Sequence, residues 1–500
     1  MTTPTCPPLS RRVTYADDPS SIAVTIFPPE VTTQDLQGFV DHLAAGGVDA
    51  YAKDVFSTGV SVYWNSSLTD YDPRPHHKKF LQLINSGIEP LNVYIDRCHQ
   101  HGMAFLASFR MNDQHWISPA WKNHPEWQLP RGGMSREGMF DYQQTGVQEW
   151  MLGLMTEMVE RFDIDGLELD WLRALPVFEQ FPATPASVDK MTDFIRQIKE
   201  LLVQRGTARD HSLPLGVRVP TKFKECLAFG LDVKTWIEEG LIDRVTPTDA
   251  VYCNFQARYM EDFGSVTSGR DCMLCPSIMP VFDRGVQYYS RGLMSLDNYR
   301  ALAHSFYQQG ADGLNIFNFQ YHWRDGKPGS DDSYPTVFSH LQKLREPNEV
   351  AGQDRQYLFY PMWHGPWFGF DKNYQLQIPP EIGSRGDFGF RLFESGTSEN
   401  AKFTMKFAAI SKQKTKEKPT SSMIRPHEPL VVALEINGNP VPGDKVIVSM
   451  YGDCGASYEF DVNPQWLRAG DNKLTVILLK DHAVLGDITI KNIELDVTMG

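Results

Sequence analysis

A β-rich apolar run followed by a helical stretch recurs eight times between residue 21 and about residue 345. This alternation constrains the fold more than any other feature of the chain. A strand that is followed by a helix re-enters the sheet parallel to its predecessor, because a tight turn can only reverse the chain. Eight such units imply closure into a (β/α)8 TIM barrel. The strands read from the sequence are Ile22–Phe27 (IAVTIF), Asp49–Ser57, Met103–Met111, the stretch Phe162–Arg173, Leu213–Pro220, Ile242–Pro247, Cys272–Met279 and Ala311–Phe319. Between them, Thr32–Ala45 has a threonine cap at its start and Gly46-Gly47 at its end. In the run Gly146–Phe162, Val147, Trp150, Met151, Leu154, Met155, Met158 and Val159 form an apolar stripe at helical spacing, which is that of a core helix rather than a cofactor box.

After about residue 348 the pattern changes to short alternating runs such as FTMKFAAI, LVVALEIN, KVIVSMYG and ITIKNIELDVTM, separated by Gly, Pro, Asn and Asp turns. This is the pattern of an antiparallel β-sandwich. The expected organisation is therefore an α/β chain with a polar lead-in over residues 1–20, a catalytic barrel over 21–347 and a β-sandwich domain over 348–500. The sandwich either binds glycan or packs beside the barrel and shapes the cleft; the stretch 360–368, YPMWHGPWF, is rich in exposed-type aromatics, and packing is the favoured role.

A formal net charge of −14 argues against a nucleic-acid partner, which needs a basic patch. The 7 cysteines are scattered, and the Cys272–Cys275 spacing has no second CxxC to complete a zinc site, so they read as buried free thiols. No metal and no cofactor is expected. No run of 18 apolar residues crosses a membrane, and the first 20 residues hold no apolar leader core. The expected location is cytoplasmic, with periplasm or secretion as the alternative if a leader has been removed.

The stretch Phe162–Arg173, FDIDGLELDWLR, carries the most chemistry. Side chains alternate along a strand, so Gly166, Glu168 and Asp170 share one face. Two carboxylates near the C-terminal end of a barrel strand lie where such barrels keep their active sites. The alternative is a structural ion pair with Arg110, Arg173 or Arg218. Glycoside cleavage needs one protonated acid for the leaving oxygen and one carboxylate that attacks the anomeric carbon or activates water. Asp170 is the candidate nucleophile or base, and Glu168 is a candidate acid.

Candidate binding residues follow the strand ends. Arg110, Asn112, Asp113 and His115 follow the third strand; Lys53 or Asp54 ends the second, and alternation lets only one of them face inward. Arg218 sits in the apolar run GVRVP, where a guanidinium needs either a barrel carboxylate or a ligand anion. Asn315 occupies the place on the eighth strand that Glu168 occupies on the fourth. Asn318, His322 and Trp323 follow at the rim. Trp323 and Trp64 are candidate sugar platforms, or else cap the core.

The phrases WKNHPEWQLP and MFDYQQTGVQEWMLGLMTEMVERFDIDGLELDW, with WIEEGLIDRVT further on, resemble the family-10-like glycosyl hydrolase barrels. That resemblance implies a TIM-barrel glycosidase acting on a carbohydrate. DGLELDWL is also similar to the family-18 chitinase signature, but Leu172 stands where that signature ends in its acid. In alpha-galactosidase-like barrels the nucleophile is an Asp ending strand 4 and the acid/base an Asp ending strand 6. By that likeness Asp170 is the nucleophile and Asp249 the favoured acid. Two other readings use the same residues: a polysaccharide lyase on a uronate-containing glycan, with Arg110, Arg218, His115 and Tyr142, and a non-catalytic glycan-binding barrel.

Overall fold

A computed structural model describes residues 12–57, 59–249, 253–256, 260–283, 291–360, 376–394, 401–413, 429–451, 455–481 and 485–500. The chain divides into two compact units. The first takes in residues up to 250, 258–280 and 310–345; the second takes in 251–257, 281–309 and 346–500.

The first unit is built on a curled, parallel, TIM-barrel-like sheet. Its strands are β1 (Val13–Ala16), β2 (Ala50–Ser57), β3 (Ala104–Arg110), β4 (Gly166–Asp170), β5 (Leu215–Val219), β6 (Arg244–Pro247), β7 (Met273–Leu274), β8 (Ser277–Ile278) and β9 (Leu314–Phe317). They run in the order β7-β6-β5-β4-β3-β2-β1-β9-β8. The curl brings strands that are far apart in this order into contact across the concave face. Arg244 on β6 donates to Thr14 Oγ1 on β1 at 2.5 Å. The Arg218 guanidinium on β5 lies 3.8 Å from the centre of the Phe317 ring on β9.

Two strand expectations are corrected. The first strand is Val13–Ala16, inside the stretch read as a polar lead-in. The apolar run IAVTIF does not form a strand: Ile22 and Ala23 are buried in helix α1, Pro19–Thr25. The cause is local. Asp18 caps the helix, accepting from the Ser21 N–H at 2.8 Å, and Pro19 takes the first turn, where a missing N–H costs nothing. The run Cys272–Met279 does not form one strand either. Met273 and Leu274 pair with β6, Ser277 and Ile278 pair with β9, and Pro276 between them has no N–H to continue a ladder.

The other elements follow the sequence pattern closely. Helix α2 (Thr33–Ala45) has a reciprocal cap: Thr32 Oγ1 accepts from the Asp35 N–H, and the Asp35 carboxylate accepts from the Thr32 N–H. Helix α3 (Thr145–Arg161) buries Val147, Met151, Leu154, Met155, Met158 and Val159 of the stripe seen in the sequence, while Trp150 is only half-buried. Cys98, Cys226, Cys272 and Cys275 are buried free thiols, and Cys253 is also buried. No helix among the described residues is long and apolar enough to cross a membrane.

The second unit carries antiparallel sheets. One runs Arg355–Phe359, Leu485–Met499, Ala401–Gln413, Gly455–Val462, Ile447–Tyr451, with Leu376–Ile378 also paired to Leu485–Met499. The other runs Arg385–Leu392, Gly470–Leu478, Val432–Ile436, Asn439–Pro440. Along Arg385–Leu392, Gly386, Phe388, Phe390 and Leu392 are buried, the period of two that places one face of a strand on a core. Helix Leu296–Gln308 belongs to this unit, where Asn298 donates to the Gln356 carbonyl at 3.0 Å. Of the aromatic stretch 360–368, all but Tyr360 lies outside the described residues.

Candidate active site

Parallel register sets the site. Ser108 on β3 stands beside Glu168 on β4, and two residues further on Arg110, Asp170 and Arg218 stand abreast on β3, β4 and β5. Glu168 therefore lies one strand repeat deeper than Asp170, about 7 Å. Asp170 Oδ2 accepts from Arg218 at 2.5 Å, and its Oδ1 accepts from the Leu172 N–H at 3.0 Å. Of the two accounts open for Arg218, the carboxylate partner is the one found.

Arg110 does not pair with Glu168. Its guanidinium meets three carboxylates: Asp54 at Nε, Asp18 at 2.9 Å and Asp113 at 3.1 Å, with Ser57 Oγ at 3.2 Å. Arg173 adds a second contact to Asp18 at 3.1 Å. Burial of a guanidinium without such partners would be costly. Here burial opposes the charge, but Asp54, Asp18 and Asp113 more than offset it and hold Arg110 above its usual range.

The acids respond in opposite directions. Burial pushes Asp18 upward, but Arg110, Arg173 and the Ser21 N–H bring it well below the ordinary carboxylate range. Asp113 is likewise drawn low against its burial, by His115 and Arg110. Asp54 goes the other way. Burial raises it most, and Asp17, Asp18 and Asp170 add to this against Arg110. Neither Asp54 oxygen accepts an aligned hydrogen bond. Glu168 is also raised, by burial first and by Asp170, against Arg244 and Arg218, and it accepts from Ser108 Oγ at 3.0 Å.

The remaining expected residues divide. Asp249 is buried just past the end of β6. Lys53 points to the opposite face from Asp54: it is fully buried, pairs with Asp17 at 2.6 Å and lies 3.9 Å from the centre of the Tyr63 ring. It is a core ion pair, not a binder, because strand alternation gave the inward place to Asp54. Trp64 is not a sugar platform: it is 0% exposed and donates to the Val55 carbonyl at 3.0 Å. Trp323 donates to Thr25 Oγ1 at 2.9 Å and packs on Phe319, Tyr334 and Phe338. Asn112 pins its own loop, donating to the Phe140 carbonyl and accepting from the Phe140 N–H. Asp113 accepts from the N–H groups of Gln114 and His115, and the half-exposed His115 ring pairs with it. Asn315 is buried deeper, beside Ser277 at 3.3 Å, and Asn318 accepts from Gln320 at 3.1 Å. His322 is fully buried against Phe319 and away from solvent. Tyr142, one of the residues of the lyase reading, is buried with its hydroxyl on the Met111 carbonyl, and burial raises it well above the usual range.

Sequence reasoning missed Asp17 and Asp18. Their signal was present: VTYA alternates, and an acidic pair then precedes a proline, as at the end of a barrel strand. Beyond β3 and β4, the loops holding Arg131–Ser135 and Pro176–Phe181 border a cleft of about 580 Å³. Asn112 donates to the Pro176 carbonyl at 3.4 Å and so joins these loops to the end of β3. Phe181 in the cleft wall is 48% exposed.

Residues 22–192 match the family model described as Glycosyl hydrolase-like 10, a segment that contains β2 to β4 and Asp170. A search of curated proteins gives no match. Among solved structures, a GH36 alpha-galactosidase AgaA variant from Geobacillus stearothermophilus in complex with stachyose is 11% identical, with 94% of this chain and 56% of that chain covered and a TM-score of 0.41. The PgaB (BpsB) glycoside hydrolase domain from Bordetella bronchiseptica is 9% identical over 67% of this chain and 99% of that chain, with a TM-score of 0.45. The alpha-galactosidase from Lactobacillus brevis is 12% identical over 94% and 55%, at 0.41. The chain spans just over half the length of the alpha-galactosidases it matches.

Proposed function

We propose, from the glycosyl hydrolase-like match over residues 22–192, that this chain is a glycoside hydrolase acting on an oligo- or polysaccharide. The reading takes the curled sheet as a closed (β/α)8 barrel and the antiparallel sheets as a β-sandwich domain. The observation that carries it is the grouping of Asp170, Asp54 and Arg110 toward the C-terminal strand ends, where one carboxylate is paired with Arg218 and its neighbour is pushed toward the protonated form. A glycosidase needs such a division of labour between two acids.

In this reading Asp170 is nucleophile or base. Arg218 and the Leu172 N–H each donate to one of its two oxygens and so fix its orientation. Asp249 is the favoured acid by likeness to alpha-galactosidase-like barrels, with Glu168 second. Asp54 joins them as a third carboxyl, because its raised affinity for a proton suits a donor. Phe181 in the cleft offers an aromatic face to a sugar ring.

The test is a panel of neutral and acidic oligosaccharides, with reducing ends and ultraviolet absorbance followed together. Hydrolysis releases reducing ends, and Asp170→Asn abolishes the release while the variant stays folded. An absorbance rise from an unsaturated product overturns the reading in favour of a lyase, and binding without turnover overturns it in favour of a glycan-binding barrel. The variants Asp249→Asn, Glu168→Gln and Asp54→Asn identify the acid. Its loss spares aryl glycosides with good leaving groups and abolishes cleavage of ordinary sugars, since only the latter need protonation.

A further inference from the structure

The segment after β9 leaves the sheet, forms the short helix Tyr321–Asp325, turns, and returns through a 3-10 turn at Thr336–Leu341. It brings together His322, Asp332 and His340, whose ligand-type atoms all lie within 4.8 Å of one another. His322 is 0% exposed and His340 7% exposed. His322 Nδ1 and Asp332 Oδ1 are 2.7 Å apart, and the two imidazole rings are 5.3 Å apart, nearly perpendicular.

An aromatic shell encloses the group. Phe319 lies 4.8 Å from His322 and stacks on Phe338 at 5.6 Å, and both phenyl rings pack against Tyr15 of β1. Tyr15 alternates with Thr14, which faces the concave side, so the group lies on the outer face of the sheet and apart from the carboxylates at the strand ends. Gly326 makes the approach possible. A side chain there would begin 2.7 Å from Asp332 Cβ, closer than real contacts allow.

We propose that His322, Asp332 and His340 form a structural site for a divalent transition metal, zinc being the best match. Two imidazoles and one carboxylate are a zinc-type donor set. Ligand atoms around one tetrahedral ion lie about 3.3–3.6 Å apart, since each bond is about 2.0–2.2 Å. Small side-chain rotations bring the present triad to that spacing, and water takes the fourth position. A low-dielectric surround strengthens the attraction between ion and carboxylate. The ion ties the short helix Tyr321–Asp325 to the turn and the 3-10 turn that follow it, and its role is stability rather than chemistry.

The full chain, freed of any affinity tag and stripped with a chelator, is titrated with zinc chloride by calorimetry and followed by thermal unfolding. The expected result is one zinc per chain and a midpoint rise of about 5 °C. Asp332→Asn, an isosteric change at a partly exposed position, weakens binding at least tenfold and removes the rise, as does His340→Gln. The control His124→Gln, at an exposed histidine, binds as wild type. No zinc uptake by the folded wild type overturns the proposal. So does equal binding by Asp332→Asn, or a midpoint lowered by that variant with no metal dependence in either protein, which would leave a hydrogen-bonded triad alone.

Discussion

Asp170 and Arg218 stand opposite each other on adjacent parallel strands, and their buried side chains close an ion pair at 2.5 Å. Removing one partner leaves the other charged and buried, at a cost of about 3–5 kcal/mol. Arg218→Met is expected to lose that much, and the double variant Asp170→Leu/Arg218→Met less than the sum of the singles. Urea denaturation of wild type, Asp170→Leu, Arg218→Met and the double variant measures the coupling; strict additivity would show that the pair is not formed in solution. Asp170→Asn is expected to lose about 10³-fold or more in kcat, beyond any effect on folding.

Glu168 is the pH-sensitive member of the group. Burial lifts its carboxyl above the usual range, so the folded state holds the proton more tightly than the unfolded state. Its contribution to stability is fully present below the unfolded value, about 4.3, and is lost as pH rises through the folded value. Glu168→Gln does not titrate. The stability of the variant relative to wild type should therefore grow from about pH 4 upward and level off above the raised value. Denaturation midpoints taken between pH 4 and 8 check this, and a difference that does not vary with pH would refute it.

Arg110 makes the opposite prediction. Asp18 and Asp113 are held low, so their contribution is present above the unfolded value and disappears as pH falls through the folded one. Arg110→Gln leaves Asp18, Asp54 and Asp113 without their common cation. The expected loss at neutral pH is about 3–5 kcal/mol, shrinking as the acids protonate in more acidic buffer. A loss that stays constant down to pH 3 would contradict the arrangement.

Two aromatic substitutions separate core from cleft. Trp64→Ala removes a fully buried indole and should cost about 3–5 kcal/mol with no selective change in KM. Phe181→Ala removes a half-exposed ring in the cleft wall. It should leave stability within about 0.5 kcal/mol and raise KM several-fold. Thermal unfolding and steady-state kinetics on the two variants distinguish them.

Much of the scaffold was legible in the chain. Periods of two and 3.6 placed most strands and helices of the first unit, and alternation alone put Glu168 and Asp170 on one face. The reason is physical: a strand or helix with one buried face must write that face into its sequence. The break at Pro276 was missed in the run Cys272–Met279, although a proline cannot donate to a ladder. The first strand was not legible either, because the Asp18-Pro19 helix start overrode the β-rich composition of the residues after it. Nor were the ion partners. The residues that meet Arg110 come from the end of β2, the loop after β1 and the turn after β3, and only the curl of the sheet converges them. Trp64 and Trp323 likewise gave no sign of which surface they would meet. Sequence by itself determined the elements and the face each presents. Tertiary structure decided which charges met and which rings were sealed in, because both depend on distance in space rather than along the chain.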